Sequence, residues 1–339
     1  MHAIVAAAGQ AWPPFVLVGG LLLIGAVAAA DGIFEHAGAR LARTRLGACG
    51  LLLALLALVA VVTAVLNLDT SVVFLTPMLV HAARRRALDE RPFLYGSVFM
   101  ANAASLLLPG SNLTNLLVLR DDPQDGAAFA LQMLPAWLTA CTITAAFIAV
   151  VFHIEDANRR PAEPPPLQVG LGAAATLAAA LLVVIMRNPA LPVLAVGLAA
   201  TALRRLRPKL DARTLALLFA ITVTLGTLAR LWHEPARLLD GSESWAVAGI
   251  GAVASVLMNN LPAAVLLSAR PPAHANALLL GLDLGPNLAV TGSLSAVLWL
   301  QAARAVGART SIRTYTQLGV ALVPLSLAAS VAALQATRL

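Results

Sequence analysis

Long apolar runs alternate with short charged connections along the whole chain. A bilayer crossing needs about 20 largely apolar residues, and several of these runs are too short to cross alone. The pattern therefore predicts complete membrane spans mixed with shorter, paired segments. The apolar runs are 14–30, 46–66, 71–83, 93–108, 112–119, 130–153, 168–186, 190–203, 214–232, 245–258, 261–269, 276–284, 288–303 and 315–336.

Composition agrees with this pattern. Hydrophobic residues make up 60% of the 339 positions, charged residues make up 12%, and the mean hydropathy is +0.84. These values lie outside the usage of soluble globular domains, so we expect an all-α polytopic protein embedded in the lipid bilayer. The first apolar stretch has neither a preceding basic segment nor a small-residue cleavage site, and we interpret it as a retained span.

The basic residues decide how the short runs connect. The chain has 23 basic and 16 acidic residues, and the basic ones fall in short loops, where they indicate topology and not a nucleic-acid partner. If every run crossed the bilayer, no orientation would place the basic clusters on one side. Joining the short runs in pairs does so, and we assign that side to the cytoplasm of a cell inner membrane, with the N-terminus outside. The clusters so united lie at 40–45, 84–91, 204–213 and 304–313.

The joined runs form two hairpins and two broken helices. Runs 46–66 and 71–83 form the first hairpin, with residues 67–70 at its tip, and 93–108 and 112–119 form one helix broken at 109–111. Runs 245–258 and 261–269 form the second hairpin in the same way. The second broken helix joins 276–284 to 288–303.

With these connections, the chain divides into two halves of the same design: a span, a hairpin, a broken helix and a span. Residues 1–158 form the first repeat, 159–213 form a linker with a connecting helix pair, and 214–339 form the second repeat. The first starts outside and the second inside, so the repeats are inverted. A proline-rich stretch at 161–166 marks the linker. Inverted repeats with discontinuous helices are a recurring plan of secondary transporters.

Polar residues collect at the four predicted breaks. Free N–H groups at helix N-termini, together with amide and hydroxyl side chains, can replace the hydration shell of a solute. Symmetry pairs Asn67 with Asn259 and Asn112 with Asn287. For any single residue, the alternative is that it caps or bridges helices without touching a solute. The predicted substrate-binding residues are Asn67, Thr70, Ser111, Asn112, Asn115, Asn259, Asn260 and Asn287.

Asp69 and Asp283 are the two acids that this topology places inside the membrane. A carboxylate at the centre of a span costs about 2.5–3.5 kcal/mol on insertion scales, so its presence there requires a reason. We predict that both couple transport to protons, with Asp69 as the first carrier and Asp283 as the second. The alternative role for each is to cap a helix. Cys49 and Cys141 and the histidines lack metal-ligand spacing, so we expect neither a metal nor a cofactor.

Several of these segments resemble the arsenite efflux permease family of the ion transporter superfamily. The resemblance covers nearly the whole chain, and the two motifs of the second half are the most specific. It implies export of trivalent arsenic or antimony hydroxides, small inorganic substrates, in exchange for protons. Some members of that family work beneath a partner ATPase, and a homodimer is also compatible with it. The matching segments are DGIFEHA (31–37), DTSVVFLTP (69–77), AASLLLPGSNLTN (103–115), MNNLP (258–262) and DLGPNLAVTGSL (283–294) with LWL (298–300).

The chain departs from that family in three respects. It begins where such permeases have already made an opening helix pair, so it resembles a short form. Leu68 stands where the hairpin tip more often has asparagine. Asn102 stands where an aspartate is frequent, and Asn287 where a lysine is familiar. The loss of an acid and of a base can compensate each other electrostatically, or can indicate a different coupling ion or cargo.

The residues support one function above its competitors. The break-bearing segments contain no lysine or arginine apart from their flanking loops, and an uncharged trihydroxide needs hydrogen-bond partners and no counter-charge. We therefore predict a secondary active transporter that exports arsenite or antimonite in exchange for protons. The alternatives are a sodium- or proton-coupled transporter of dicarboxylate or citrate, suggested by 111–114, and a sodium/proton antiporter of the same superfamily. Sequence motifs of a membrane-embedded enzyme are absent, so we expect no catalytic residues.

Overall fold

The computed structural model describes residues 2–121, 124–153, 170–186, 188–207, 212–231 and 234–336, and these residues are helical with no strand among them. The predicted all-helical membrane architecture is confirmed. Four helices are long and apolar enough to cross a membrane within this part of the chain, namely the first, third, seventh and last of those given below. The proline-rich linker predicted at 161–166 lies outside the described residues.

The first half contains seven helices among its described residues, and the fifth and sixth are separated by a 3₁₀ turn at Pro109–Ser111. They are α1 (His2–Ala30), α2 (Ile33–Ala42), α3 (Ala48–Val65), α4 (Leu68–Arg85), α5 (Arg91–Ala104), α6 (Leu113–Val118) and α7 (Gly126–Phe152). A connecting pair follows, α8 (Leu171–Ile185) and α9 (Ala190–Leu203).

The second half contains seven further helices among its described residues. The break between its fifth and sixth helices contains two 3₁₀ turns, Gly285–Leu288 and Val290–Gly292. Its helices are α10 (Ala212–Leu231), α11 (Glu234–Arg237), α12 (Ser244–Met258), α13 (Asn260–Leu267), α14 (Ala275–Leu284), α15 (Leu294–Ala305) and α16 (Ile312–Ala336).

The boundaries differ from the sequence prediction at two points that matter for function. The first hairpin turns at 66–67 and not over 67–70, so Asp69 and Thr70 belong to the first turn of α4. Asparagine before a helix favours this earlier start, because its side chain accepts a hydrogen bond from a free N–H of the first turn. The short helices α2 and α11 were not predicted, since their charged residues interrupt any apolar run.

The second parts of both broken helices pack against the opposite half. α15 packs on α4 of the first hairpin, while α6 packs on α13 and α14 of the second half. An aromatic group holds α15 in place: Trp299 lies 5.4 Å from Tyr95 on α5 and 5.5 Å from Tyr315 on α16, centroid to centroid. The Trp299 indole also donates to the Leu94 carbonyl at 2.9 Å. Each break is therefore surrounded by elements from both halves.

Asp31 is a second buried acid among the described residues, besides Asp283. Asp31, between α1 and α2, forms an ion pair with Arg204 after α9 and accepts from the Gly172 N–H at 2.8 Å. In the sequence, Asp31 follows the apolar run 14–30 and begins the matching segment 31–37. In the fold, Asp31 ties the connecting pair α8–α9 to the first half.

Candidate functional site

Asp283 lies in the last turn of α14, where its side chain is fully buried. Both of its carboxylate oxygens meet side chains of the first half: Asn112 Nδ2 donates to Oδ1 at 2.9 Å, and Ser105 Oγ lies 3.1 Å from Oδ2. Gly285 allows α14 to approach α12 closely, because a Cβ atom there would overlap the backbone of Ala252. The fold thus brings two sequence-predicted residues, Asn112 and Asp283, into direct contact across the two halves.

Asn112 also caps the helix that follows the first break. Its side-chain oxygen accepts from the Thr114 N–H at 3.1 Å, so one amide caps α6 with its oxygen and reaches Asp283 with its nitrogen. The predicted symmetry pairs Asn112 with Asn287. The residue that caps α15, the corresponding half-helix, is instead Ser293, which accepts from the Ala296 N–H at 3.2 Å.

Ser111 and Asn115 bind the backbone of the first break. Ser111 Oγ donates to the Ser105 carbonyl at 2.5 Å, and Asn115 Nδ2 donates to the same carbonyl at 2.8 Å. The indole of Trp137 on α7 donates to the Ala104 carbonyl at 3.1 Å. Lipid cannot satisfy carbonyls that a broken helix leaves free, so these donors are what makes the break tolerable at membrane depth.

Asn102 and Asn287 form a second contact between the halves. Asn102 Nδ2 donates to Asn287 Oδ1 at 2.7 Å, and both side chains are fully buried. The other polar atoms of the pair, Asn102 Oδ1 and Asn287 Nδ2, have no hydrogen-bond partner among the described residues. These are the two positions where the resemblance leads us to expect an acid and a base. The two departures from that resemblance are thus in contact with each other.

The first hairpin tip also reaches the other half. Asn67 caps α4 by accepting from the Thr70 N–H at 2.6 Å, and Ser295 on α15 donates to Asp69 Oδ1 at 2.6 Å. Asn67 Nδ2 and Thr70 Oγ1 are buried and have no partner among the described residues. Asp69 is partly exposed, unlike Asp283.

The second hairpin tip makes its described contacts within its own half. Asn259 has φ +75° and accepts from the Leu261 N–H at 3.3 Å as the cap of α13. Its amide nitrogen donates to the Thr291 carbonyl at 3.0 Å, in the second break. Asn260 is buried beside it. The described hydrogen bonds therefore join Asn259 to the second break and not to Asn112.

A cavity of about 330 Å³ lies beside the first break. Pro109 and Gly110 of the break form part of its wall, together with Trp12 of α1. Polar side chains enter it from Arg120 and Gln124, at the end of the chain segment that leaves the break. The break is therefore adjacent to a space large enough for a small solute.

Sequence reasoning missed two serines that contact the acids. Ser105 lies beside Asp283 and Ser295 beside Asp69, in each case from the opposite half. Serine is common in apolar runs and often bonds its own helix, so neither residue carried a distinguishing signal. Asn102 was recognised in the sequence only as a difference from the family that the chain resembles. Its contact with Asn287 was not predicted.

Comparison with known proteins adds family and fold. The YdaH transporter of Alcanivorax borkumensis, whose crystal structure is described as revealing an unusual topology, is similar over 98% of this chain and 86% of its own, with 16% identity and a TM-score of 0.58. At this identity the likeness shows a shared fold only. No curated protein matches the chain significantly. The profile of the family described as CitMHS, citrate transporter, matches residues 1–332. The chain therefore belongs to the CitMHS citrate transporter family, whose members are multi-pass membrane transporters.

Proposed function

We propose that the chain is a secondary active transporter built from two inverted repeats, 1–158 and 214–339, joined by 159–213. The recurring order of helices, α1–α7 and then α10–α16, supports the repeats. The reciprocal packing of α15 on α4 and of α6 on α13 supports a site shared between them. Discontinuous helices that meet across two repeats are the usual location of the substrate site in such transporters.

We propose that the cargo is a small neutral polyhydroxide, arsenite or antimonite, exported in exchange for protons. One observation carries this choice. Asp283 is surrounded by the neutral donors of Asn112 and Ser105, and no basic side chain of the described residues hydrogen-bonds to it. A neutral trihydroxide can donate to and accept from such groups without a counter-charge. The unpartnered atoms of Asn67, Thr70 and the Asn102–Asn287 pair offer further donors and acceptors.

A second candidate cargo is citrate or another dicarboxylate, coupled to sodium or protons. The description of the family as citrate transporters favours it. The N-termini of α4 and α15 can bind a carboxylate group without arginine, because their free N–H groups and helix dipoles favour negative charge.

Transport by the purified protein in liposomes separates the two cargoes. With an imposed pH gradient, we expect labelled arsenite to move against its own gradient, while citrate at the same concentration equilibrates no faster than in empty liposomes. Uptake of citrate without movement of arsenite would contradict the first proposal and establish the second. Repeating both measurements with a sodium gradient at constant pH identifies the coupling ion.

We propose that Asp283 and Asp69 carry the coupling protons. The sequence ranked Asp69 first, but the surroundings of Asp283 support the opposite order. Asp283 is fully buried and is bonded to Asn112 and Ser105 of the other half through both oxygens, whereas Asp69 is bonded to Ser295 through one. Proton binding at Asp283 would therefore act on two contacts between the halves.

We propose that the N-terminus lies outside a cell inner membrane, with 84–91 and 204–213 in the cytoplasm and 234–244 outside. Cysteines introduced at Arg207 and Glu243, both exposed, test this orientation in a background lacking the native cysteines. An impermeant maleimide added to intact cells should label the variant at Glu243 and should label the variant at Arg207 only after lysis. The reverse pattern would overturn the orientation.

Asn112 and Asn259 are proposed to contact the cargo, each at a break of its own half. Alanine at either position should raise the Michaelis constant for transport, because a donor to the cargo is lost, while membrane insertion is unchanged. An unchanged Michaelis constant in both variants would leave the two asparagines as helix caps only.

A further inference from the structure

Ser105 follows α5 directly and is fully buried. Its hydroxyl oxygen lies 2.8 Å from the Asn102 carbonyl and 3.1 Å from Asp283 Oδ2. A serine hydroxyl carries one hydrogen, so it can donate to only one of these oxygens at a time. Which oxygen accepts depends on whether Asp283 holds a proton.

We infer that Ser105 is a positioning residue that turns its single hydrogen between Asp283 and the Asn102 carbonyl, and so links proton binding at Asp283 to the end of α5. The inference rests on the proposed function in one respect, namely that Asp283 binds the coupling proton.

The two arrangements follow from the hydrogen count. When Asp283 is charged, its carboxylate only accepts, so Ser105 donates to Oδ2 and leaves the Asn102 carbonyl. When a proton from water binds to Oδ2, the new O–H donates to Ser105 Oγ, and Ser105 donates to the Asn102 carbonyl. The only proton gained or lost is the one on Asp283, since the serine hydrogen stays on its oxygen and rotates.

The Asn102 carbonyl belongs to the last turn of α5, where carbonyls lack helical partners. The neighbouring carbonyls of α5 have other donors. The Ser105 N–H donates to the Ala101 carbonyl at 3.0 Å, and the Trp137 indole donates to the Ala104 carbonyl. A buried carbonyl that loses its donor costs free energy comparable to a lost hydrogen bond. Charging Asp283 therefore loosens the last turn of α5, beside the first break.

The end of α5 is linked back to the second half through the side chain of Asn102. Asn102 donates a hydrogen bond to Asn287 at 2.7 Å, and Asn287 lies four residues after Asp283 in the second break. Asp283, Ser105, Asn102 and Asn287 thus form a closed ring that spans the two halves. A rearrangement at one side of the ring changes the fit of the other, as alternating movement of two repeats requires.

Asp283 is the charged group closest to Ser105, so its protonation decides which oxygen accepts the Ser105 hydrogen. The elements packed against α14 include α5, α6, α12, α13, α16 and the 3₁₀ turn at Gly285–Leu288, and Asn276 of α14 donates to Gln132 of α7 at 3.1 Å. On α16, Tyr315 donates to the Pro286 carbonyl at 3.1 Å, and beyond α6, Arg120 donates to the Ser268 carbonyl at 2.8 Å. Among the described residues of these elements, no other charged side chain is buried.

Infrared difference spectroscopy tests the inference without any cargo. The carboxylic acid band of Asp283 in the full-length protein is assigned by its loss in Asp283→Asn. We expect Ser105→Ala to shift this band to higher frequency, because the acid O–H loses its acceptor. The matched control is Ser97→Ala on the same helix, whose buried hydroxyl also bonds a carbonyl three residues back but contacts Thr76 and not an acid. An Asp283 band equal in wild type and Ser105→Ala would overturn the inference.

Transport supplies the second readout. The ratio of pH-driven transport to counterflow at equal pH should fall about tenfold in Ser105→Ala, since a hydrogen bond to a charged group is lost. It should fall less in Ser105→Cys, which keeps a weak donor, and it should not change in Ser97→Ala. Unchanged ratios in Ser105→Ala would overturn the inference even if the band shifted. If the wild-type protein moves neither arsenite nor citrate, the proposed function fails, while the infrared measurement still decides whether Ser105 responds to Asp283.

Discussion

Asp69 lies at the tip of the first hairpin and Asp283 beside the break of the second broken helix, at opposite ends of their helices. Asp69 is the second residue of α4, and Asp283 is the last but one of α14. Both are bonded to a serine of the other half, but Asp283 is also bonded to Asn112.

The two acids also differ in access and in the number of partners. Asp69 is partly exposed and is bonded through Oδ1 to Ser295, whereas Asp283 is fully buried and bonded through both oxygens to Asn112 and Ser105. Asp69 thus makes one side-chain contact with the other half and Asp283 makes two, so the contact between the halves depends more on Asp283. The two acids share a position beside a break but differ in burial and in place along the helix.

The largest effect is expected from Asp283→Asn. The amide keeps the size of the side chain and donates to Ser105 as the protonated acid would, but it cannot titrate. Transport driven by a pH gradient should fall to the background of empty liposomes, while counterflow of labelled cargo at equal pH should remain within roughly threefold of wild type. Loss of both activities with normal folding would show that Asp283 serves cargo binding and not coupling.

The amide pair beside Asp283 gives the next largest effect. Asn102→Asp alone adds a second buried carboxylate near Asp283, and we expect it to lower the free energy of unfolding by about 3 kcal/mol. Combining it with Asn287→Lys supplies the opposite charge and should recover most of the loss. Thermal unfolding in detergent measures both variants. A double variant no more stable than Asn102→Asp would contradict the contact between these positions.

Asp69→Asn should have a smaller effect than Asp283→Asn. The variant keeps an acceptor for Ser295 and leaves the Asp283 contacts intact, so pH-driven transport should fall about tenfold without disappearing. The measurement is the same liposome assay, with counterflow as the reference. If Asp69→Asn abolished pH-driven transport while Asp283→Asn retained it, the order of the two acids would be inverted.

Ser295→Ala should produce the smallest change. It removes one hydrogen bond from Asp69 and leaves the contacts of Asp283 intact, so transport should fall about threefold. Ser330→Ala on α16 is the control, because the Ser330 hydroxyl is buried without a partner in the described part of the chain. Equal effects of the two substitutions would indicate a general loss of packing.

Much of the fold follows from the sequence because its causes are local. The apolar runs predicted the complete spans, and Pro109 and Gly110 predicted the first break, since proline lacks a donor and glycine tolerates irregular backbone. The polar residues at the breaks and the two acids were visible in the same way. The short helix α2 was missed because amphipathic helices with several charges do not register as apolar runs.

The contacts between polar residues that lie far apart in the chain could not be predicted from the sequence. Asn112 and Asp283 are 171 residues apart, and Asn102 and Asn287 are 185 apart. A single sequence contains no measure of such distances. The contacts arise because small residues such as Gly285 let α14 pack tightly against α12, and because α6 packs on the opposite half. Local hydrogen bonding and hydrophobicity thus determined the elements and their breaks, whereas side-chain packing between distant helices alone decided that Asp283, Ser105 and Asn112 form one cluster.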